Sequence, residues 1–239
     1  MKFLKNLIFI DIETVPEKPS FSELSEKMQE LWVKKSMYLK NDDALSAEEL
    51  YADRAGIYSE FGKVVAISIG FFYEDSYQKL NFRVKSLFDS DEKNLLEEFL
   101  STMENKLDEK KIRLCAHNGK EFDFPYLARR MVVNRVKIPY YLQLSGKKPW
   151  EINHLDTLEM WKYGDRKSFT SLELLTEILG IPSPKQDIDG SMVAKVYYED
   201  RDVEKIATYC GRDVEATAQL FLRLRGMDLL SEDKIHHIQ

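Results

Sequence analysis

Two carboxylates follow an apolar run near the N-terminus, where Leu7–Ile10 leads directly into Asp11-Ile12-Glu13. Side chains alternate between the two faces of a β-strand, so Asp11 and Glu13 are predicted to point the same way. Such carboxylates repel each other unless a cation joins them, and oxygen ligands of this kind suit Mg²⁺ or Mn²⁺. Alone, the pattern is weak, because acidic pairs on protein surfaces are far commoner than metal ligands.

A third carboxylate follows another apolar segment of the chain. Asp123 lies between Phe122 and Phe124, after a glycine-containing turn that begins at Asn118. The simpler interpretation is that Asp123 caps the helix that begins here. The alternative is that its carboxylate joins the first pair, and the local sequence leaves both roles open.

Tyr209 and Asp213 form the third fragment. They are four residues apart in a segment with helical periodicity, so they are expected on one face of the helix, beside its apolar stripe. A helix edge next to the core can present a phenol and a carboxylate towards a sheet. The plainer alternative is a half-buried tyrosine and a surface aspartate.

Together the three fragments resemble a known family. Asp-Ile-Glu-Thr, Asn-x-x-x-Phe-Asp and Tyr-x-x-x-Asp occur here in the order of the three exonuclease motifs of the DEDD superfamily, and Tyr209 indicates its DEDDy branch. The chain looks most like the proofreading exonuclease domain of family B DNA polymerases, as a stand-alone protein, over residues 6 to about 226. The resemblance implies a ribonuclease H-like α/β fold. It also implies 3′→5′ hydrolysis of phosphodiester bonds, with the 3′ end of single-stranded DNA as the expected substrate and RNA as the alternative.

The same resemblance assigns roles to individual residues. It implies two divalent ions, Mg²⁺ or Mn²⁺, held by four carboxylates: Asp11, Glu13, Asp123 and Asp213. It implies that the hydroxyl of Tyr209 orients the attacking water. Backbone amides near Thr14 and Val15 are expected to receive the terminal nucleotide. Asn118 and Phe122 are expected beside the bases, although a phenylalanine in this position is more often a core residue.

Composition agrees with a globular protein that processes nucleic-acid ends. The chain has 239 residues, 44% of them hydrophobic, and no linker or repeat divides it, so residues 1–239 are predicted to form a single domain. The net charge of −6 argues against binding long tracts of nucleic acid, but an exonuclease needs to hold only a few terminal nucleotides. A non-catalytic nucleic-acid-binding module is a further alternative, against which the complete set of carboxylates argues. An unrelated metalloenzyme would leave the second and third fragments unexplained.

The chain is expected to be cytoplasmic, without a membrane segment, and its protein partners are not identified by any motif. The apolar run Leu7–Ile10 is far shorter than the roughly 20 residues that span a bilayer. Cys115 and Cys210 lie in apolar segments, which favours buried free thiols in a reducing compartment.

The elements that must position these residues follow from periodicity. Strands are predicted at residues 6–12, 63–72, 78–85 and 112–116, and helices at about 89–103, 126–134, 170–180 and 202–225. This pattern predicts a mixed sheet with helices on its faces. Residues 20–56 form a charged insertion between the first two strands, with two predicted helices. It is either a packed decoration or a wall over the site.

Several other polar residues have plainer explanations. Asp89 and Glu92 are predicted to form a capping box, and a strand that ends in a turn explains His154 and Asp156 better than a metal pair does. His236 and His237 are expected in a frayed tail. The basic group around one helix is expected to be solvated, with phosphate contact as the alternative: Arg129, Arg130, Arg135 and Lys137.

Overall fold

The computed structural model describes residues 2–104, 108–165, 169–182 and 188–238. Six strands of the described chain form one sheet in the order β5-β4-β1-β2-β3-β6. Their bounds are β1 Leu7–Pro16, β2 Gly62–Glu74, β3 Leu80–Phe88, β4 Arg113–Ala116, β5 Leu155–Asp156 and β6 Ile235–Ile238. The β1–β2 and β2–β3 pairs are antiparallel, and the other three pairs are parallel. The predicted mixed sheet is therefore confirmed.

Helices lie on both faces of this sheet. Their bounds are α1 Glu26–Ser36, α2 Ala47–Arg54, α3 Glu92–Glu104, α4 Asp123–Val133, α5 Thr157–Lys162, α6 Leu172–Ile178, α7 Val193–Lys195 and α8 Val203–Leu224. A π-helical turn, Val196–Asp200, continues α7. Across the described ranges, every helix is too short or too polar to cross a membrane.

Side chains of β1 alternate between the two faces of the sheet and contribute to a separate apolar cluster on each face. Ile8, Ile10 and Ile12 pack in a cluster with side chains of α3 and α4. Leu7 and Phe9 pack on the opposite side, in a cluster with side chains of α8. The residues that continue the second series are Asp11 and Glu13, so strand geometry alone directs both carboxylates to the face covered by α8.

The predicted helical insertion between the first two strands is confirmed. Ser25 caps α1, and Ser46 with Glu49 forms a capping box at α2. The two helices pack around the fully buried rings of Trp32 and Tyr51, whose centroids are 5.4 Å apart. The insertion thus has its own small apolar core, which supports its interpretation as a packed decoration.

The predicted capping box at α3 is wrong, because Asp91 Oδ1 accepts the amide protons of the first turn. Glu92 instead turns inward and accepts hydrogen bonds from Val64 N–H at 2.8 Å and Arg130 Nε at 2.9 Å. The prediction of a solvated face is also wrong for Arg130, which is 5% exposed. A buried guanidinium needs a buried anion, and Glu92 supplies it.

The predicted frayed tail is wrong as well. Residues 235–238 form β6, which pairs in parallel with β3, and His236 and His237 lie opposite Arg83 and Val84. His237 Nε2 is also 2.9 Å from Glu215 Oε2 on α8. Pairing satisfies the backbone groups of β3 that would otherwise form an open sheet edge.

Candidate active site

The first two carboxylates lie on neighbouring positions of one strand face. Asp11 is opposite Ser68 of β2 and Glu13 is opposite Ala66. Ligand atoms of Asp11, Glu13 and Cys210 all lie within 4.8 Å of one another, so the predicted shared orientation of the two carboxylates is confirmed. A β-bulge follows between Glu13 and Thr14, and bulges of this kind often re-aim side chains beside active sites.

Helix α8 packs close to β1 through the face that carries Cys210. Cys210 is buried, and its thiol donates a hydrogen bond to the backbone carbonyl of Asp11 at 3.3 Å. A β-carbon at Gly211 would lie 2.7 Å from Ser86 Oγ, so the close approach of helix and sheet depends on the missing side chain. The contact of Cys210 with β1 was not predicted, because helical periodicity places it in the apolar stripe without identifying its neighbour.

A tight turn inserts Asp123 beside the same strand. Asn118 has φ of 64°, and a β-carbon at Gly119 would lie 2.3 Å from the β-carbon of Ala116. The turn leads into α4, where Asp123 is 3% exposed and its Oδ1 accepts the Ile12 N–H at 3.2 Å. The helix-cap interpretation of Asp123 is therefore wrong: its carboxylate bonds to β1, and the N-cap position belongs to the preceding residue.

The four carboxylates interact electrostatically. Burial raises the pKa of Asp11 well above its ordinary value, and the charges of Asp123, Glu13 and Asp213 raise it further. Burial also raises the pKa of Glu13, with Asp213 and Asp123 adding to the effect. Burial raises the pKa of Asp123 to about 7, although the backbone amides of Asp123 and Ile12 act in the opposite direction. The charges of Asp123 and Asp213 thus disfavour ionisation of Asp11 and Glu13, whereas the neighbouring charge that raises the pKa of Asp123 is that of Asp156.

Tyr209 lies beside these carboxylates. Burial raises the pKa of its phenol far above the ordinary value, and the charges of Asp213, Glu13 and Asp11 add to this effect. A side-chain hydrogen bond to Asp213, which the hydroxyl donates, raises the pKa further. The phenol therefore keeps its proton at neutral pH, and it can orient a water molecule but not deprotonate one.

The donor set fits a divalent cation. Asp11 Oδ2 is buried and has no hydrogen-bond partner within the part of the chain that the structure describes. A buried carboxylate oxygen without a partner is costly, and the three neighbouring carboxylates increase that cost unless a cation offsets it. Carboxylate oxygens are the ligands that Mg²⁺ and Mn²⁺ prefer. The softer Cys210 thiol is already bonded to the Asp11 carbonyl.

The residues predicted to contact substrate lie around this cluster. Thr14 and Val15 follow the bulge on β1, and Val15 is fully buried. Asn118 donates its N–H to Asp156 Oδ1 at 3.0 Å, which fixes the turn before α4. Phe122 is partly buried against the core, with its ring centroid 5.3 Å from that of Tyr126. Their contacts with substrate stay predictions.

His154 and Asp156 have structural roles. Leu114 N–H donates to His154 Nδ1 at 3.1 Å, and His154 Nε2 bonds the Tyr141 carbonyl at 2.7 Å. Asp156 caps α5 and accepts amide protons from the turn that precedes Asp123. Both residues therefore support the strand and turn that position the site, as the simpler interpretation predicted.

Comparison with known proteins identifies similar sequences and a similar fold. Residues 57–237 match the family model described as a predicted 3′-5′ exonuclease related to the exonuclease domain of PolB. This range contains Asp123, Tyr209 and Asp213, whereas Asp11 and Glu13 precede it.

A solved structure supports the architecture. The family B DNA polymerase from the hyperthermophilic archaeon Pyrobaculum calidifontis is similar over 91% of this chain and 24% of the polymerase chain, with 14% identity and a TM-score of 0.50. This chain thus spans about a quarter of that polymerase. The likeness confirms the predicted ribonuclease H-like fold, and at this identity it concerns the fold alone.

Proposed function

The chain belongs to the family of predicted 3′-5′ exonucleases related to the exonuclease domain of PolB, and we propose that it removes nucleotides from the 3′ end of single-stranded DNA. The observation that carries this proposal is the pairing of Asp11 and Glu13 on one strand face, close enough to Asp123 and Asp213 for those charges to raise both pKa values. Among the described residues, the buried Oδ2 of Asp11 has no hydrogen-bond partner. Such a cluster is unfavourable by itself and suits cation-dependent hydrolysis of a phosphodiester bond. Residues 1–239 would form one domain, since the insertion packs on Phe61, which leads into β2.

The proposed metal ligands are Asp11, Glu13, Asp123 and Asp213. Two bound ions, Mg²⁺ or Mn²⁺, would supply a nucleophilic water and offset the charge that develops on the phosphate and the leaving oxygen. The protein holds its ligands on rigid elements, because Asp11 and Glu13 are on a central strand and Asp213 is on α8. Asp123 is fixed by the Ile12 amide, which lies between the two strand carboxylates.

Tyr209 is proposed to orient the attacking water. Its hydroxyl retains its proton and donates to Asp213, so it can hold a water beside the carboxylates without removing a proton from it. This positioning affects the transition state more than substrate binding.

The terminal nucleotide is proposed to bind at the bulge end of β1. The bulge locally disrupts the ladder where Glu13 and Thr14 meet, and this supports a role for the backbone near Thr14 and Val15 in holding the nucleotide. Asn118 and Phe122 border the turn that carries Asp123, and they would contact the adjacent bases.

The proposal is tested with 5′-labelled single-stranded DNA and RNA oligonucleotides, each incubated with Mg²⁺, Mn²⁺ or excess chelator. We expect a ladder that shortens from the 3′ end, requires a divalent ion and disappears in the Asp11→Asn and Asp213→Asn variants. Asp43→Asn is a matched control, because Asp43 is exposed in the insertion. Undiminished cleavage in chelator, or shortening from the 5′ end, would contradict the proposal. A faster reaction on RNA would replace DNA with RNA as the substrate.

A further inference from the structure

Lys63 lies on the sheet face that carries the carboxylate cluster. It is opposite Val15 in the β1–β2 ladder, and Val15 is two residues beyond Glu13 on β1. The flanking side chains of Val15 and Val65 belong to the apolar cluster that contains Cys210, against which Tyr209 also packs. Two residues of a strand span about 6–7 Å, which is the distance along β1 from Glu13 to Val15. Because Lys63 pairs with Val15, its backbone also lies a short distance from Glu13.

The ammonium group of Lys63 contacts aromatic rings. Its Nζ lies 4.8 Å from the ring centroid of Tyr197 and 5.4 Å from that of Tyr198. Within the described ranges, no carboxylate is in ion-pairing distance of this Nζ, whereas Lys120 is paired with Glu159. A cation–π contact holds an ammonium without neutralising it, so Lys63 keeps a full positive charge for an anionic ligand.

The two tyrosines are themselves fixed relative to β1. They belong to the π-helical turn Val196–Asp200, a kind of turn that often occurs at functional sites. Their ring centroids are 4.9 Å apart in an edge-to-face arrangement. The Tyr198 hydroxyl donates a hydrogen bond to the carbonyl of Pro16, the last residue of β1. The position of the Lys63 ammonium is therefore tied to the strand that carries Asp11 and Glu13.

We propose that Lys63 binds a backbone phosphate of the substrate strand next to the terminal nucleotide. This inference rests on the proposed exonuclease function. A substrate phosphate that approaches a chain of net charge −6 and a cluster of carboxylates needs a nearby cation, and Lys63 is such a cation on the same face. Its place opposite Val15 puts it beside the backbone segment proposed to hold the terminal nucleotide.

The test measures binding of 5′-labelled dT8 in Ca²⁺ over a series of KCl concentrations. Lys63→Met keeps the aliphatic stem and removes the charge, and it is expected to weaken binding about tenfold at low salt. The slope of log affinity against log salt should become shallower by about 0.7, the value for one lost phosphate contact with a single strand. Lys63→Arg should restore most of the affinity and the wild-type slope.

Lys35→Met is the matched control. Lys35 Nζ lies 4.5 Å from the ring centroid of Tyr58, so it makes the same kind of contact, but it belongs to α1 of the insertion. We expect this variant to bind dT8 with wild-type affinity and slope.

The outcomes separate this inference from the proposed function. A wild-type protein that neither binds dT8 nor shortens it with Mn²⁺ would overturn both. If the wild type binds and cleaves dT8 and Lys63→Met retains its affinity and slope, the role of Lys63 alone is overturned. Weaker binding with an unchanged slope, or without recovery in Lys63→Arg, would show a packing role and would also overturn the inference.

Discussion

Replacing Asp123 by asparagine is expected to stabilise the metal-free protein at pH 8. Asp123 is 3% exposed, and burial raises its pKa to about 7, so at pH 8 a largely ionised carboxylate is held in the interior. Asparagine has nearly the same shape and keeps an oxygen for the Ile12 N–H, which lies 3.2 Å from Asp123 Oδ1. The substitution therefore removes the buried charge and preserves the hydrogen bond.

The magnitude follows from the difference between the folded and unfolded pKa values. A change from 3.8 to about 7 corresponds to about 4 kcal/mol at pH 8. Because the neighbouring carboxylates titrate together with Asp123, we expect the variant to gain about 2–4 kcal/mol in free energy of unfolding. The folded pKa lies above the unfolded one, so the contribution of Asp123 to the stability of the wild type is greatest below pH 3.8 and is lost as the pH rises to about 7. The difference in free energy of unfolding between the variant and the wild type should increase over this pH range and stay constant above it.

Urea unfolding in chelator at pH 4.5, 6 and 8 measures this difference in free energy of unfolding. Asp43→Asn, an exposed position, should show no such pH dependence. Mn²⁺ should stabilise the wild type more than Asp123→Asn, because the variant lacks one proposed ligand. The reasoning is refuted if the asparagine variant is no more stable than the wild type at pH 8, or if the difference is equally large at pH 4.5.

Three further predictions concern catalysis and the framework of the site. Tyr209→Phe should lower the single-turnover rate about 10²-fold with unchanged oligonucleotide affinity, and an unchanged rate would make Tyr209 a packing residue. Arg130→Gln should lower the free energy of unfolding in urea by about 3–5 kcal/mol, because it leaves Glu92 buried without its cation. Arg129→Gln, at an exposed position, should lower it by less than about 0.5 kcal/mol, and equal losses in the two variants would contradict the assigned ion pair. Gly119→Ala would place a methyl group 2.3 Å from a neighbouring β-carbon, so we expect a loss of about 1–3 kcal/mol and reduced cleavage, and wild-type values for both would show that the turn adapts freely.

Local sequence was sufficient to predict which side chains share a face of a strand or helix, because the period of the element decides this. The two-residue period of β1 predicted that Asp11 and Glu13 share a face, and their ligand atoms lie within 4.8 Å of each other. The four-residue spacing of Tyr209 and Asp213 predicted a shared helix face, and the two side chains are hydrogen-bonded. Backbone geometry fixes such relations without help from distant parts of the chain.

Contacts between distant segments were decided by tertiary structure. Whether Asp123 caps its helix or reaches the first strand depended on how the turn from Asn118 packs against β1, across 111 residues of sequence. The same holds for Arg130, whose helix face appeared exposed until α3 supplied Glu92. The tail could not be recognised as β6, because its four residues gain their hydrogen bonds from the edge of β3. In each case the local sequence determined which helix, strand or turn forms. The partner of that segment was decided by the packing of other elements, because a buried charge needs a counter-charge and an unpaired strand edge needs hydrogen bonds.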